Sequence, residues 1–371
     1  MNIDRIENEF QRNFLEHGEL GASLSVWQGG EPVVYLSKGW CDKSQQRRWD
    51  SQTIVPIYSA TKGPAASVLL MTLDENGLTP ESRVCQVWEN FPNEQATFAE
   101  LMSHQCGLAA LDEIVTVYDF DSVIEAIEKQ SPNWELGCAQ GYHPRTFGFL
   151  LDKSVRILAG KSLGEVWREK IAEPLDLDLW IGLPESEHHR VATLYPGKAD
   201  KAELESGFYK EFNQPGSLVR KAFSSPKGLH GVHEMNTPKA WESALPAMGG
   251  VATAHALAKF YQACIGQIEC FSDDVREWMQ TSQIMGDDLV LCTPTHFTCG
   301  FQKDPLGGNS QKMRHHYGPS LSAFGHPGAG GSHAFGDPEN GISFAYTMNQ
   351  MDLAVLPGAK SLNMIHSLYS S

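Results

Sequence analysis

Strand-like patterns occur near both ends of this 371-residue chain, and helical patterns fill most of the stretch between them. Residues 22–40, ASLSVWQGGEPVVYLSKGW, predict two strands joined by a turn at Gly29-Gly30. FTCGFQ (297–302) and SHAFGDPENGISFAYTMN (332–349) predict further strands. Strands at both ends separated by helices favour α+β architecture over alternating βαβ units. We therefore expect an antiparallel sheet that draws strands from both termini.

Helix signals surround and interrupt that sheet. The apolar residues of MNIDRIENEFQRNF follow helical spacing, which predicts an amphipathic N-terminal helix. Thr97 with Glu100, and Ser162 with Glu165, fit the capping box at a helix start. Further helices are expected at about 62–76, 145–160, 252–264 and 358–369.

The middle of the chain is expected to form a separate, inserted domain. Its last part, 184–247, is polar and rich in Pro, Gly and His, which predicts long loops over a cleft. We expect a discontinuous sheet domain formed by residues 1–77 and 246–371, flanked by the terminal helices. The inserted domain, mainly helical, would span residues 78–245.

Charge and composition exclude several classes of partner. The formal net charge is −16, which argues against a phosphate-binding surface for nucleic acid and against an anionic membrane. No stretch approaches the roughly 18 apolar residues of a membrane span, and the N-terminus shows no signal-peptide pattern. The 8 cysteines are scattered without a CxxC pair, which favours free thiols. We expect a cytoplasmic protein, and the sequence leaves its oligomeric state open.

One short segment, IYSATKGPAAS (57–67), contains candidate catalytic residues. Residues i and i+3 are neighbours on a helix, so Ser59 and Lys62 lie on one face. At a helix start the amide of Ser59 is unpaired and can donate to an oxyanion. Pro64 is tolerated only in the first turn, which independently places the helix start near Ser59. By itself the motif favours an ordinary N-cap serine followed by a solvated lysine.

Other segments extend this motif into a longer pattern. Ser59-x-x-Lys62 is followed by Gly141-Tyr142-His143-Pro144 and, much later, by residues 325–331, GHPGAGG. This order resembles the serine beta-lactamase and penicillin-binding-protein superfamily, most closely its class C beta-lactamase and family VIII esterase branch. Residues 101–108, LMSHQCGL, and 248–254, MGGVATA, are similar to further segments of that branch. The resemblance spans about residues 20–350 and implies an antiparallel sheet with a helical domain.

The resemblance also implies a role for each motif residue. Ser59 would be the acylated nucleophile, Lys62 its hydrogen-bonded cation and Tyr142 the general base. An unperturbed tyrosine has a pKa of about 10, so we expect the Lys62 charge to lower the pKa of Tyr142. The backbone N–H groups of Ser59 and Ala329 would form the oxyanion hole, and Gly328 would let substrate approach the strand edge. Neither a cofactor nor a metal is implied.

Two departures from the lactamase pattern bear on specificity. His326-Pro327-Gly328 replaces Lys-Thr-Gly, and histidine near its ordinary pKa is mostly neutral at pH 7, so the carboxylate anchor is weakened. Pro144 replaces the asparagine of Tyr-x-Asn and offers no side-chain amide, which removes a hydrogen bond that selects acylamino substrates. Both changes favour neutral esters over beta-lactams or D-alanyl peptides. His143 is expected to be a solvated loop residue, with cleft lining as the alternative.

Competing sites are poorly supported. The Gly-x-Ser-x-Gly elbow of α/β-hydrolases is absent. Spacing places His104 and Cys106 on different helix faces, so we interpret His104 as a buried structural residue rather than half of a Cys/His pair. The histidine pairs lack the partners of a zinc motif; they are His188-His189, His230 with His233, and His315-His316.

The sequence thus predicts a serine hydrolase that cleaves small carboxylic esters through an acyl-serine intermediate. Ser59, Lys62 and Tyr142 would carry the reaction, and His326, Gly328, Pro144 and His143 are candidate substrate-binding residues. The alternatives are a beta-lactamase or D-alanyl carboxypeptidase, an acyltransferase using the same intermediate, and a non-catalytic scaffold of this fold. The expected partner is a small-molecule ester.

Overall fold

The computed structural model describes residues 2–198 and 201–370. Within these residues the strands are β1 (Gly21–Gln28), β2 (Glu31–Gly39), β3 (Val55–Pro56), β4 (Leu179–Trp180), β5 (Val251–Ala252), β6 (Ile284–Asp287), β7 (Pro294–Phe297), β8 (Gln302–Lys303), β9 (Phe324–Pro327), β10 (His333–Asp337) and β11 (Ile342–Met348). The α-helices are α1 (Ile3–Glu16), α2 (Lys62–Glu75), α3 (Phe98–Met102), α4 (Phe120–Lys129), α5 (Thr146–Ala159), α6 (Leu163–Trp167), α7 (Lys201–Leu204), α8 (Gly207–Phe212), α9 (Leu218–Ser224), α10 (Val232–Met235), α11 (Pro238–Glu242), α12 (Ala254–Cys264), α13 (Asp273–Gln280) and α14 (Ala359–Tyr369).

An eight-stranded antiparallel sheet joins the two ends of the chain. Its strand order is β2-β1-β11-β10-β9-β8-β7-β6, so the first hairpin pairs with the last strand. Ala22 lies opposite Met348 and Gln28 opposite Ile342, which fixes the register along β1. The predicted α+β fold with a sheet drawn from both termini is therefore confirmed.

Helices cover both faces of this sheet. Successive side chains of a strand point to opposite faces, and β11 shows this directly. The hydroxyl of Ser343 donates to the carbonyl of Ala258 in α12, whereas the hydroxyl of Tyr346 donates to Glu19, just after α1. Helix α1 also packs against α14. The terminal helices and α12 thus enclose the sheet, as expected for a core with two apolar faces.

A second, three-stranded sheet positions the segment before α2. Its order is β3-β5-β4, and the amide of Ile57 donates to the carbonyl of Gly250 at 2.9 Å. Helix α2 follows almost at once and is buried nearly all round. It packs against α5, α6 and α13, so the start of α2 is held between the sheet and the helical region.

Several local predictions are confirmed. Gly29 and Gly30 form the turn of the first hairpin, and both have positive φ, 60° and 84°. Both capping boxes are present: the side chains of Thr97 and Ser162 accept from the third helical amide, and the carboxylates of Glu100 and Glu165 accept in return from the N-cap amides. These signals are local, which is why the sequence displays them.

Two predictions are wrong. The stretch 184–247 is not mainly loop: the described part contains a 3₁₀ turn and the five short helices α7 to α11. Residues 297–302 do not form one strand, because the amide of Thr298 donates to the carbonyl of Phe301 and a tight turn separates β7 from β8. The boundaries at 77/78 and 245/246 stay predictions. No helix in the described ranges has the length and apolar character needed to cross a bilayer.

Candidate active site

Ser59 lies in a 3₁₀ turn, Tyr58–Thr61, that leads directly into α2. The first bond of the turn runs from the amide of Ala60 to the carbonyl of Ile57, so the amide of Ser59 precedes the bonded part of the helix. Tyr58 has a φ of 48°, a left-handed conformation that is uncommon for a tyrosine. The hydroxyl of Thr61 donates to the carbonyl of Tyr58 and braces this turn. The serine is thus presented on a sharp, supported turn with its own N–H unused.

Lys62, the first residue of α2, is completely buried beneath Ser59. Its Nζ lies 3.3 Å from Ser59 Oγ, 2.9 Å from the carbonyl oxygen of Pro144 and 2.8 Å from that of Ala247. Burial disfavours the charged form and holds the pKa of Lys62 well below its ordinary value, and Arg145 acts in the same direction. The alternative of a solvated lysine is excluded by this environment.

Tyr142 completes the group, because it lines the same cavity as Ser59, and the Ser59 side chain acts to lower the pKa of its phenol. The Lys62 ammonium position lies over the tyrosine ring, 4.8 Å from the centroid. Burial raises the pKa of Tyr142 well above 10, and the nearby Asp288 carboxylate raises it further. The expected lowering by Lys62 does not occur, because desolvation of the phenolate dominates.

Asp288 holds the backbone of Tyr142 in place. Both carboxylate oxygens accept from the amide of Tyr142, at 3.0 and 3.1 Å. The same side chain accepts from the amides of Val290 and Leu291, each at 2.8 Å, and from the hydroxyl of Thr295 at 3.1 Å. This buried carboxylate therefore ties the Tyr142 loop to the turn between β6 and β7.

His326 is buried and neutral beside the tyrosine, with ring centroids 6.0 Å apart. Desolvation lowers its pKa to about 3, and the Lys62 charge adds to that effect. Its Nδ1 lies 2.8 Å from the carbonyl oxygen of Pro327, and its Nε2 lies 3.4 Å from Nε2 of Gln302. The histidine contributes no positive charge at neutral pH.

These groups meet in a narrow cavity that encloses about 310 Å³, its open mouth included. Within the described residues its wall carries no Lys, Arg, Asp or Glu side chain. The polar part of the wall comes from the candidate catalytic groups and their neighbours, and the rest is apolar. The lining residues are Ser59, Tyr142, Phe223, Leu291, Gln302, His326, Pro327, Ala329, Val355 and Leu356.

The end of β9 comes unusually close to the segment before Ser59. A Cβ on Gly328 would lie 2.1 Å from the carbonyl oxygen of Ile57, so only glycine fits there. Ala329, the next residue, lines the same cavity as Ser59. The approach of the two backbones thus depends on Gly328.

The remaining predicted binding residues do not line the cavity. His143 is fully buried, so the expectation of a solvated histidine is wrong. Its Nδ1 lies 2.7 Å from the carbonyl of Gly141, and its Nε2 accepts from the amide of Leu108 at 3.0 Å. Pro144 contributes its carbonyl to Lys62 rather than a side chain to the cavity.

His104 is buried, as predicted, although it lies just after α3 with a φ of 66° rather than within a helix. Its Nδ1 accepts from the amide of His143 at 3.2 Å, and its ring packs against Tyr142 and Phe147. Burial lowers its pKa well below the ordinary value. This histidine supports the tyrosine loop from behind.

Sequence reasoning missed the apolar wall and two polar residues. Phe223, Leu291, Val355 and Leu356 come from separate loops and helices, and no periodic pattern marks them as neighbours. Gln302 and Asp288 lie in short segments that carry no recognised motif. A buried polar residue in a predicted central strand, such as Gln302, is the one signal that the sequence offered.

By class the chain is a serine hydrolase built on a beta-lactamase/transpeptidase-like fold. The beta-lactamase family model matches residues 3–364, and the chain belongs to that family. It is 30% identical over 357 residues to the esterase/beta-lactamase LipL of Mycobacterium tuberculosis (strain ATCC 25618 / H37Rv), which covers 89% of this chain and 77% of LipL.

Solved structures of related proteins agree with this family assignment. A penicillin-binding-protein homologue from Caulobacter crescentus superimposes with a TM-score of 0.84 at 32% identity, covering 99% of this chain and 96% of that one. A family VIII carboxylesterase superimposes with a TM-score of 0.87 at 30% identity and the same two coverages. The resemblance inferred from the motifs is therefore confirmed.

Proposed function

We propose that this chain hydrolyses small, uncharged carboxylic esters through an acyl intermediate on Ser59. The observation that carries the proposal is the cavity wall, which presents Ser59 and Tyr142 but no charged side chain among the described residues. A substrate carboxylate would have to lose its hydration without gaining a cation, which is costly. An uncharged ester avoids that cost. The relatives named as esterases support the same substrate class.

In the acylation step Lys62 accepts the proton of Ser59. The carbonyls of Pro144 and Ala247 take the two hydrogens of a neutral amine, which leaves the lone pair of Nζ directed at Ser59 Oγ. The lowered pKa of Lys62 makes that neutral form more accessible than it is for a lysine in water. Ser59 Oγ bonds to the ester carbonyl carbon as its proton moves to Nζ. This assigns the base role to Lys62 rather than to Tyr142.

Tyr142 acts on the leaving alcohol. Its raised pKa keeps the phenol protonated, so it can donate that proton to the departing alkoxide. The Lys62 ammonium then returns a proton to the tyrosine oxygen. Water attacks the acyl carbon in the second half of the reaction; its proton passes to the tyrosine–lysine pair, and the acid leaves as Ser59 Oγ is reprotonated. Consumption of one ester and one water yields one alcohol and one acid.

The oxyanion would be bound by the amides of Ser59 and Ala329. The amide of Ser59 precedes the first bond of its turn, and Ala329 follows the glycine that brings β9 close to that turn. Donors at such a site contribute about a hundredfold or more to acyl transfer. His326 serves as a neutral part of the wall.

The proposal is tested by hydrolysis of p-nitrophenyl acetate, butyrate and octanoate beside nitrocefin. We expect turnover of the two short esters, weaker turnover of octanoate because the cavity is narrow, and little turnover of nitrocefin. Ser59→Ala should abolish ester turnover. Ser282→Ala is a matched control. The hydroxyl of the exposed Ser282 lies 2.6 Å from Nε2 of His296, so this serine, like Ser59, is hydrogen-bonded to a basic side chain.

Each opposing result has a clear meaning. Ester turnover that survives Ser59→Ala would reject the assigned nucleophile, whatever the result for Ser282→Ala. Dominant nitrocefin turnover would favour a beta-lactamase. Transfer of the acyl group to an added alcohol in preference to water would identify an acyltransferase, and inactivity towards all four compounds would favour the non-catalytic scaffold.

A further inference from the structure

Four groups at the cavity wall and just beneath it form a hydrogen-bond chain with a fixed direction. The carbonyl of Pro327 can only accept, so Nδ1 of His326 carries the hydrogen. The ring is neutral, which leaves Nε2 as an acceptor. Gln302 must therefore direct its NH₂ group towards His326 and its Oε1 towards the hydroxyl of Tyr317, which donates at 3.2 Å.

This direction leaves one hydrogen of the Gln302 amide without a partner. The NH₂ group has two hydrogens, and His326 Nε2 accepts only one of them. Among residues 2–198 and 201–370 no acceptor lies against the other. Gln302 is only 5% exposed, yet it lines the cavity together with Ser59. A buried donor without an acceptor is costly unless a bound molecule satisfies it.

The position of Gln302 shows which part of a substrate it would face. It lies opposite Gly325 in the neighbouring strand and contacts His326, which in turn lies beside Tyr142. Tyr142 is the proposed proton donor to the leaving alcohol. Under the proposed mechanism the leaving alcohol departs beside Tyr142, so Gln302 is one residue removed from that position, through His326.

We propose that Gln302 is a substrate-binding residue that donates a hydrogen bond to an ether or carbonyl oxygen in the alcohol part of the ester. The preferred substrates are then small, uncharged esters of alcohols that carry a second oxygen, such as alkoxyalkyl esters. This inference rests on the proposed ester hydrolysis and adds the substrate class to it.

The test compares 2-methoxyethyl acetate with n-butyl acetate, two esters of nearly equal size that differ by one oxygen in the alcohol. Hydrolysis is followed by proton release, and the ratio of the two kcat/KM values is the quantity of interest. For the wild type we expect this ratio to exceed the ratio of the hydroxide-catalysed rates by about tenfold, the effect of one hydrogen bond. In Gln302→Met, which keeps the side-chain length but removes the donor, the excess should disappear.

Two controls make the result specific. Gln262→Met removes another buried glutamine, in α12, whose amide contacts the carbonyls of Trp27 and Gly341; none of these three residues lines the cavity, so this variant should keep the tenfold preference. The wild-type comparison with hydroxide needs no variant, so it decides the question even if Gln302→Met does not fold. The acyl-side pair p-nitrophenyl methoxyacetate and p-nitrophenyl butyrate should show no excess that depends on Gln302.

Opposing outcomes separate the two proposals. If Ser59→Ala abolishes hydrolysis of both alkyl esters but Gln302→Met leaves their ratio unchanged, the role of Gln302 is rejected and ester hydrolysis stands. An excess confined to the acyl-side pair would also reject the role stated for Gln302. Hydrolysis that is independent of Ser59 would reject the proposed function itself.

Discussion

At the scale of single residues, the site depends on a backbone contact that admits no side chain. The carbonyl oxygen of Ile57 would lie 2.1 Å from a Cβ on Gly328, and that carbonyl accepts the first bond of the turn that holds Ser59. Any displacement of β9 therefore moves Ala329 relative to Ser59. The geometry of the proposed oxyanion hole is set by this one glycine.

We predict that Gly328→Ala lowers kcat/KM for short esters by about a hundredfold or more, the loss typical of one missing oxyanion donor. The added methyl group must push β9 away from a backbone atom that cannot rotate aside. Gly286→Ala in β6 is the matched control, because nothing lies within 4 Å of its Cβ position. Steady-state kinetics with p-nitrophenyl acetate measure both variants. Similar kinetics for Gly328→Ala and the wild type would contradict the proposed role of this contact.

Single-residue environments were the least predictable from the sequence. The motif singled out Ser59, Lys62 and Tyr142, but the directions of the pKa shifts of Lys62 and Tyr142 follow from burial by distant segments. The sequence predicts that the Lys62 cation lowers the pKa of Tyr142. In the folded chain, however, burial desolvates both Lys62 and Tyr142, and desolvation is the larger effect on each pKa. His143 was likewise expected in solvent and is fully buried. Burial depends on tertiary packing, which local patterns do not report.

At the scale of elements, Tyr142 is held by a turn from a different part of the chain. Asp288 accepts from the amides of Tyr142, Val290 and Leu291 and from the hydroxyl of Thr295. It thereby couples the tyrosine loop to the turn that contributes Leu291 to the cavity wall. The carboxylate of Asp288 thus positions both Tyr142, a proposed catalytic group, and Leu291, a part of the cavity wall.

We predict that Asp288→Asn lowers kcat/KM for short esters by about tenfold and also lowers the melting temperature. Asparagine has a single acceptor oxygen for these donors, so its NH₂ group would face an N–H or O–H group and the loop would shift. Asp152→Asn is the control for stability: this buried carboxylate accepts from the amide of Leu163 at 2.7 Å and pairs with Arg156. The Asp152→Asn variant should lower the melting temperature without a comparable loss of activity. Equal activity losses in the two variants would show that Asp288 acts only through stability.

Elements with local signals were predicted well, and those without them were not. The Gly29-Gly30 hairpin and the capping boxes at Thr97 and Ser162 are encoded within a few residues. The short helices between 201 and 242 lack the length for a clear period, so they resemble loops in sequence. The break between β7 and β8 depends on a tight turn near Gly300, which has a φ of 83°. Isolated glycines in a strand pattern were compatible with a continuous strand as well as a turn.

At the scale of the whole molecule, the fold buries several histidines in neutral form. Burial lowers the pKa of His143, His326 and His333 to about 3, and that of His316 to about 2. In the unfolded chain a histidine has a pKa of about 6.5. As the pH falls below 6.5 the unfolded chain binds protons that the folded chain does not, so the free energy of unfolding decreases.

Buried carboxyl groups act in the opposite sense at lower pH. Burial raises the pKa of Asp152 and Asp288, so the folded chain binds their protons more readily than the unfolded chain does. That contribution develops as the pH falls through their raised folded-state pKa values and is complete near the ordinary carboxyl pKa of about 4. The four histidines with strongly lowered pKa values outnumber these two carboxyl groups, so we expect the histidines to dominate the window between pH 6.5 and about 5.

We predict that the free energy of unfolding falls steeply with pH across this window. Each histidine contributes up to about 1.4 kcal/mol per pH unit once its unfolded form is protonated. Urea unfolding followed by circular dichroism at pH 7.5, 6.5 and 5.5 measures the slope. His333→Phe should reduce it by about one proton, because this ring packs among Tyr317, Phe335 and Phe344 and a phenyl ring does not titrate. His189→Phe, the same substitution at an exposed histidine, is the matched control. Parallel pH curves for the wild type and His333→Phe would contradict a neutral, buried His333.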